Sequence, residues 1–298
     1  MRALVIVGGA EHREGDMQVL ARFVELCGGA GSSIVVLTAA STQPKVAWEM
    51  YDRAFGDLGV QRRAPLILCT RQDAANPSNA EQALQADGIF MTGGDQKRLM
   101  AIIGETHVHR AMLAAFKRGA CIGGTSAGAS AMSAHMLAEG MRDVVPEKQG
   151  ALLAAGLGLL PWVVIDQHFS ERHRLARLLS ILAENPCLVG IGIDEDTALV
   201  IEGQNRLEVV GTGAITLLDG RQMTSNVLDI DAHERLELIN VKLHLLPAGT
   251  SYRIPAVGAQ PGDDDAPVAL REVLRLVTGV GPMSCLEEAI VEDIKPCP

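Results

Sequence analysis

Short apolar runs punctuate the first part of the chain: ALVIV at 3–7, SSIVVLTA at 32–39, APLILCT at 64–70, DGIFMTGG at 87–94 and GACIGG at 119–124. Between them lie longer segments whose apolar residues recur at helical spacing, such as MQVLARFVELC at 17–27 and VAWEMYDRAFGDLG at 46–59. Strands alternating with helices predict successive βα units, hence an α/β fold with a mostly parallel central sheet and helices on both faces. Glycines and small residues cluster in VGGAE at 7–11, TGGDQ at 92–96 and GGTSAGAS at 123–130, which puts sharp turns at the carboxyl ends of the predicted strands. In open α/β sheets ligands bind along that edge. From about residue 188 the pattern shortens to LVGIGI, TALVI, RLEVVG, AITLLD and INVKLHLL, which reads as β-rich additions and hairpins. The Pro-, Gly- and Asp-rich stretch PAVGAQPGDDDAP at 255–267 reads as a linker, and VALREVLRLVTGV at 268–280 has helical spacing again. The expected division is therefore an α/β domain over 1–254 and a linker plus helical tail over 255–298.

Composition narrows the class. With 48% hydrophobic and 21% charged residues in 298, the chain has the make-up of a soluble globular protein with a sizeable core. A net charge of −10 without any basic run excludes nucleic acid as a partner class, because phosphate binding needs clustered Lys and Arg. The amino-terminal apolar run is too short for a signal sequence or a membrane span, so no membrane association is expected. The six cysteines, Cys27, Cys69, Cys121, Cys187, Cys285 and Cys297, show no C-x-x-C spacing. They read as reduced thiols of a cytoplasmic protein rather than a disulfide framework or a zinc site. No metal and no cofactor is expected: the chain lacks G-x-x-x-x-G-K-[ST], and VGGAE lacks the G-x-G-x-x-G spacing.

Gly124 to Gly128 spell G-x-S-x-G around Ser126, the pattern of a nucleophile elbow between strand and helix. A serine hydroxyl needs a base within hydrogen-bond reach and a third group to orient that base. Of eight histidines, His168 stands out, because it ends the run PWVVIDQH where a strand gives way to a helix. His107 and His109 read as surface positions, and His12, His135, His173, His233 and His244 carry no motif. A third strand end, GIDED, offers Asp194, Glu195 and Asp196, and Ser126, His168 and Glu195 then form a candidate triad in the order Ser, His, acid. That order differs from the Ser, acid, His of α/β-hydrolases. Taken singly, each feature has a plain reading as a tight turn, a locally satisfied histidine or acidic turn formers. The amides of Ala127 and Gly94 are the candidate oxyanion donors.

The segment SERHRLARLLSILAEN at 170–185 adds a conflict. Arg172, Arg174 and Arg177 crowd the start of its helix, where cations oppose the helix dipole at roughly 0.3–1 kcal/mol each. Pairing with Glu171 and Glu184, or an anionic substrate beside His168, relieves it.

The ordered set VGGAE, LTAAS, TGGDQ, GGTSAGAS, DQHFSERHRLARL and GIDEDTAL, spread over residues 7–199, resembles the cyanophycinases, in the serine peptidase family that also holds aspartyl dipeptidase. The resemblance covers most of residues 3–250 and implies a fold like that of class I glutamine amidotransferases. It implies a serine-type exopeptidase that hydrolyses cyanophycin, a polyaspartate with arginine on each β-carboxyl, to β-aspartyl-arginine dipeptides. By position, Ser126 resembles the nucleophile, His168 the general base and Glu195 its partner, while Gln96, Asp166, Gln167, Arg172, Arg174 and Arg177 fall where the family lines its substrate pocket. The arginines would then meet substrate carboxylates, and Asp166 a substrate guanidinium or amine. His12 and Arg13 depart from the family, which is expected to carry an acid and a lysine there. Two other readings remain open: an α- or β-aspartyl dipeptidase, and a catalytically silent protein that binds acidic peptides. A homodimer is expected, with the apolar face of 268–277 as a candidate contact.

Overall fold

The first apolar run becomes the strand around which the sheet is assembled. In the computed structural model, which describes residues 2–140, 145–203, 205–254 and 265–279, β1 (Ala3–Val7), β2 (Ser33–Leu37), β3 (Arg62–Leu66), β4 (Gly88–Met91) and β5 (Cys121–Thr125) lie parallel in the order β1-β5-β4-β2-β3. They are joined through α1 (Gln18–Cys27), α2 (Pro44–Asp57), α3 (Arg71–Ala75), α4 (Pro77–Gln85), α5 (Gln96–Ile103) and α6 (His107–Arg118). A four-residue helix, α7 (Ala127–Ser130), follows Ser126. An antiparallel pair, β6 (His135–Gly140) and β7 (Ala151–Ala155), precedes β8 (Val163–Gln167), α8 (Leu175–Glu184) and β9 (Val189–Ile193). The remaining strands are β10 (Thr197–Glu202), β11 (Arg206–Gly211), β12 (Ala214–Asp219), the short β13 (Thr224–Ser225) and β14 (Leu238–Ile239), β15 (Lys242–Pro247) and β16 (Ser251–Arg253), followed by α9 (Val268–Val277).

Among the described residues, β10, β11 and β16 extend the parallel strands antiparallel beyond β1 into an eight-stranded sheet. β8, β9, β12 and β15 build a second sheet, β15-β12-β9-β8, in which only β8 and β9 are parallel, while β13 and β14 pair with each other. The expected α/β architecture is present, with one difference of consequence. His168 follows β8 and therefore belongs to the second sheet, whereas Ser126 follows β5 in the first.

Alternation along the strands explains the layering, because successive side chains point to opposite faces. Ala3, Val5 and Val7 of β1 face a core with Phe23 of α1 and Tyr51 and Phe55 of α2. The Phe23 and Phe90 rings meet edge to face at 5.2 Å, and Phe55 and Phe90 at 5.7 Å, spacings favoured by aromatic quadrupoles. Gly123 of β5 makes room for them, since a Cβ there would lie 2.7 Å from the Phe90 ring. On the opposite face Leu4 and Ile6 pack with Leu99, Ile103 and Met112 of α5 and α6 and with Ile165, Ile191, Ile193 and Leu217 of the second sheet. That sheet takes part of a layer that the periodicity assigned to helices alone. Leu178, Ile181 and Leu182 of α8 cover the sheet's outer side, against Val164 and Leu218.

Leu270, Val273, Leu274, Leu276 and Val277 of α9 are buried in the same core as β1 and β9. The apolar face considered for a dimer contact is thus spent within the subunit; the linker at 255–264 and the terminus from 280 lie outside the described residues. His109 is another difference: it is buried, with Nε2 3.0 Å from the Leu157 carbonyl, because α6 turns that face inward. Cys27 and Cys121 are buried and Cys69 and Cys187 exposed, all as free thiols. Truncating Leu274, fully buried, to alanine is expected to lower stability by about 2–5 kcal/mol, read as a lower urea midpoint. Val268→Ala at the start of the same helix, where the side chain is 76% exposed, should change it by under about 0.5 kcal/mol.

Candidate active site

Five turns converge at the carboxyl ends of β1, β4, β5, β8 and β9. The end of β1 joins them. Gly8 accepts the His168 amide at 2.8 Å and donates to Thr197 O at 2.9 Å, Gly9 accepts the Asp196 amide at 2.9 Å, and Val7 accepts the Ser126 amide at 3.0 Å. Ala10, Ser126, His168 and Asp196, one from each of four of these turns, all have φ between 44° and 51°. Side chains of L residues are disfavoured there by of order 1–3 kcal/mol apiece, so surrounding bonds must hold the backbone in place. Gly9 has φ 105° and lies directly under the imidazole: a Cβ there would stand 2.3 Å from His168 Cε1.

Ser126 has ψ −108° and opens α7. Its Oγ is 3.1 Å from His168 Nε2, and His168 Nδ1 is 2.5 Å from Glu195 Oε1. The Ser126 hydroxyl also lies 3.3 Å from the Gln167 side-chain oxygen. The structure discriminates among the three acids of the 194–196 turn. Asp194 accepts the Ser170 hydroxyl and the Ser170 and Ala214 amides, and Asp196 accepts the His12 amide and the Thr212 hydroxyl, so both fold the turn. Glu195 alone meets His168. Burial lowers the His168 pKa below its ordinary 6.5; Glu195 opposes that, and the cations of Arg172 and Arg174 add to it. Near neutral pH the ring is uncharged, and its contacts are those of a proton on Nδ1 toward Glu195 and an open Nε2 toward Ser126.

Among the described residues the arginines are not paired with Glu171 and Glu184, the pairing that one of the two expectations held. Asp166, the fourth residue of β8, is 1% exposed and receives Arg177 Nε at 2.7 Å, the Arg177 terminal nitrogen, and Arg174 Nη1 at 3.3 Å. Arg174 also donates to the Gln167 carbonyl. Glu171 and Glu184 instead accept the backbone amides of Glu195 and Gln149. Asp166 is therefore engaged by the protein's own arginines, a pairing that the sequence reading did not include. Two guanidinium groups meet the one carboxylate of Asp166, which leaves a positive surplus at that point, and burial with the neighbouring Arg177 and Arg172 brings the Arg174 pKa to about 10 against the pull of Asp166.

Arg172, Arg174 and Arg177, with Glu171 and His173, line a cavity of about 750 Å³. Its other wall is the β6–β7 pair, with Glu139, Gln149 and Leu152, which no motif in the sequence marked. Gln96 lies outside that wall and props it, donating from Nε2 to the Leu137 and Ala138 carbonyls at 3.2 and 3.1 Å. Lys97, next in the chain, pairs with Glu139. Gly93 of the TGGDQ turn stands against Ser126, where a Cβ would be 3.4 Å from the serine Cβ. The amides of Gly94 and Ala127 donate to no protein group among the described residues. No three His, Cys, Asp or Glu side chains among the described residues are placed to hold a metal ion. No described helix is long and apolar enough to cross a membrane.

Residues 4–209 match Peptidase family S51. The chain belongs to that family. As an S51 peptidase it is a serine peptidase, and the central sheet with its flanking helices is the class I glutamine amidotransferase-like fold of the family. It is 36% identical over 253 residues to a cyanophycinase of Synechococcus elongatus, covering 84% of this chain and 79% of that one. A cyanophycinase of Geminocystis herdmanii is 36% identical over 252 residues, covering 84% and 93%. Among solved structures, a peptidase from an acI-B1 Actinobacterium superposes with a TM-score of 0.61 at 23% identity, over 85% of this chain and 97% of that one. The electrostatics of this S51 site give a signed expectation. In an NMR pH titration His168 should titrate below 6.5; Arg172→Gln should move that titration up, and Glu195→Gln should move it down.

Proposed function

We propose that this S51 peptidase hydrolyses cyanophycin to β-aspartyl-arginine through an acyl-enzyme on Ser126. The observation that carries the reading is the Ser126–His168–Glu195 chain of contacts at 3.1 and 2.5 Å, together with the three arginines, shortly after His168 in the chain, that line a cavity. The sequence likeness to cyanophycinases supplies the substrate class.

In this reading His168 Nε2 takes the Ser126 proton as Oγ attacks an aspartyl carbonyl, while Glu195 steadies the imidazolium that forms. The amides of Ala127 and Gly94, which have no acceptor among the described residues, receive the oxyanion. His168 then returns the proton to the leaving amine, and water attacking by the reverse route clears the acyl group. The neutral state of His168 near pH 7 suits a base that must accept a proton before it donates one. The surplus cation over Asp166 gives the cavity a use: Arg172, Arg174 and Arg177 attract carboxylates of the polymer end and fix which carbonyl lies over Ser126. Asp166 serves by holding two of those guanidinium groups in place from behind.

Purified protein incubated with insoluble cyanophycin should release soluble β-aspartyl-arginine, identified by mass spectrometry, and Ser126→Ala should lower turnover by at least about 10⁴-fold. Retained turnover in that variant contradicts the nucleophile, and release of free arginine or of longer fragments contradicts the bond assignment.

A further inference from the structure

Behind the nucleophile turn lies a carboxylate that the relay does not use. Glu11, from the turn after β1, is 1% exposed. The Tyr51 hydroxyl of α2 donates to its Oε1, and the Thr125 hydroxyl donates to its Oε2 at 2.5 Å. The Arg13 guanidinium stands 3.9 Å from the same carboxylate and lies over the Tyr51 ring. Burial and the nearby carboxylate hold the Tyr51 phenol well above its ordinary pKa, so it remains a donor. A buried carboxylate is costly to desolvate unless such bonds meet it. Its partners show what those bonds constrain.

Thr125 ends β5 and immediately precedes Ser126, whose φ of 51° and ψ of −108° the short α7 alone is poorly able to enforce. The Thr125 side chain is tied to Glu11, and the Ser126 amide is tied to Val7 O, so the two residues flanking the 125–126 peptide bond are held to β1 and the turn that follows it. The same turn takes the His168 amide on Gly8 and the Asp196 amide on Gly9, and its Gly9 packs beneath the imidazole. We propose that Glu11 is a positioning residue for the nucleophile: through Thr125 it sets the direction in which Ser126 leaves β5 and keys that direction to the turn that supports His168. This rests on Ser126 being the nucleophile.

A residue that aims Oγ acts on chemistry and leaves binding alone. In the full-length protein, Thr125→Val removes the hydroxyl while keeping the side chain's shape, and Thr125→Ser keeps the hydroxyl. For each we would measure the second-order rate of labelling by a fluorophosphonate, in which Oγ displaces fluoride from phosphorus, together with kcat and KM on cyanophycin and the thermal midpoint. Thr125→Val should slow labelling and lower kcat by about 10- to 100-fold with KM unchanged, the range expected when a reacting group is misplaced by an ångström or less. Thr125→Ser should return both near the wild-type values. Tyr51→Phe removes a bond of similar burial but leaves Thr125 on Glu11, so it should lower the thermal midpoint with a smaller effect on labelling. A folded Thr125→Val that labels as fast as wild type overturns the positioning role while leaving the nucleophile intact. Wild-type protein that takes no label on Ser126 overturns both. Should Thr125→Val fail to fold, Glu11→Asp, which draws the carboxylate back by one methylene, takes its place with the same two outcomes.

Discussion

The backbone at the end of β1 is the point on which this site depends. Carbonyls of three consecutive residues, Val7, Gly8 and Gly9, accept amides from Ser126, His168 and Asp196. Those three belong to different strand ends, one from the central sheet, one from the second sheet and one from the connection between the sheets. A hydrogen bond confined to 2.8–3.0 Å fixes relative position far more tightly than apolar packing does. The serine, the imidazole and the turn bearing Glu195 are therefore set by the same few atoms. It also explains why Ser126, His168 and Asp196 persist at positive φ: the amide of each is bonded to this segment.

Charge is managed with similar economy. The helix α8 begins with arginines where its dipole disfavours them, and the buried Asp166 supplies the missing anion from the adjacent strand. Two guanidinium groups converging on one carboxylate are rigid and carry more positive charge than it neutralises. Arg172, exposed at the cavity, adds to the surplus. Arg172 and Arg174 also help keep His168 unprotonated. The charge state of His168 is thus tied to the cations of the short stretch that follows it.

Much of this was legible in the chain. Strand ends announced themselves through apolar runs closed by glycines, and a G-x-S-x-G after one of them located Ser126. His168 and Glu195 followed from the requirement for a base and an orienting acid at similar turns. Pairing was the hidden part. Local pattern places β8 after an apolar run but says nothing of which sheet it joins, and the second sheet takes its shape from long-range register. Asp166 reads equally as a ligand or a counter-ion until its depth is known. The β6–β7 wall had no motif, and Glu11 and Thr125 lay inside quoted motifs, VGGAE and GGTSAGAS, without a role until their burial and mutual contact were known. The helix α9 shows the same limit: periodicity found its apolar stripe, and only packing shows that the stripe faces its own core.

The central claim is that the bonds around the end of β1 assemble a serine activated by His168. Peptide mapping by mass spectrometry after reaction with a fluorophosphonate tests it most directly. A single adduct is expected on the peptide that carries Ser126, and its loss from folded protein when His168 is replaced by glutamine. An adduct on a different serine, or one that forms equally well without the imidazole, would contradict it.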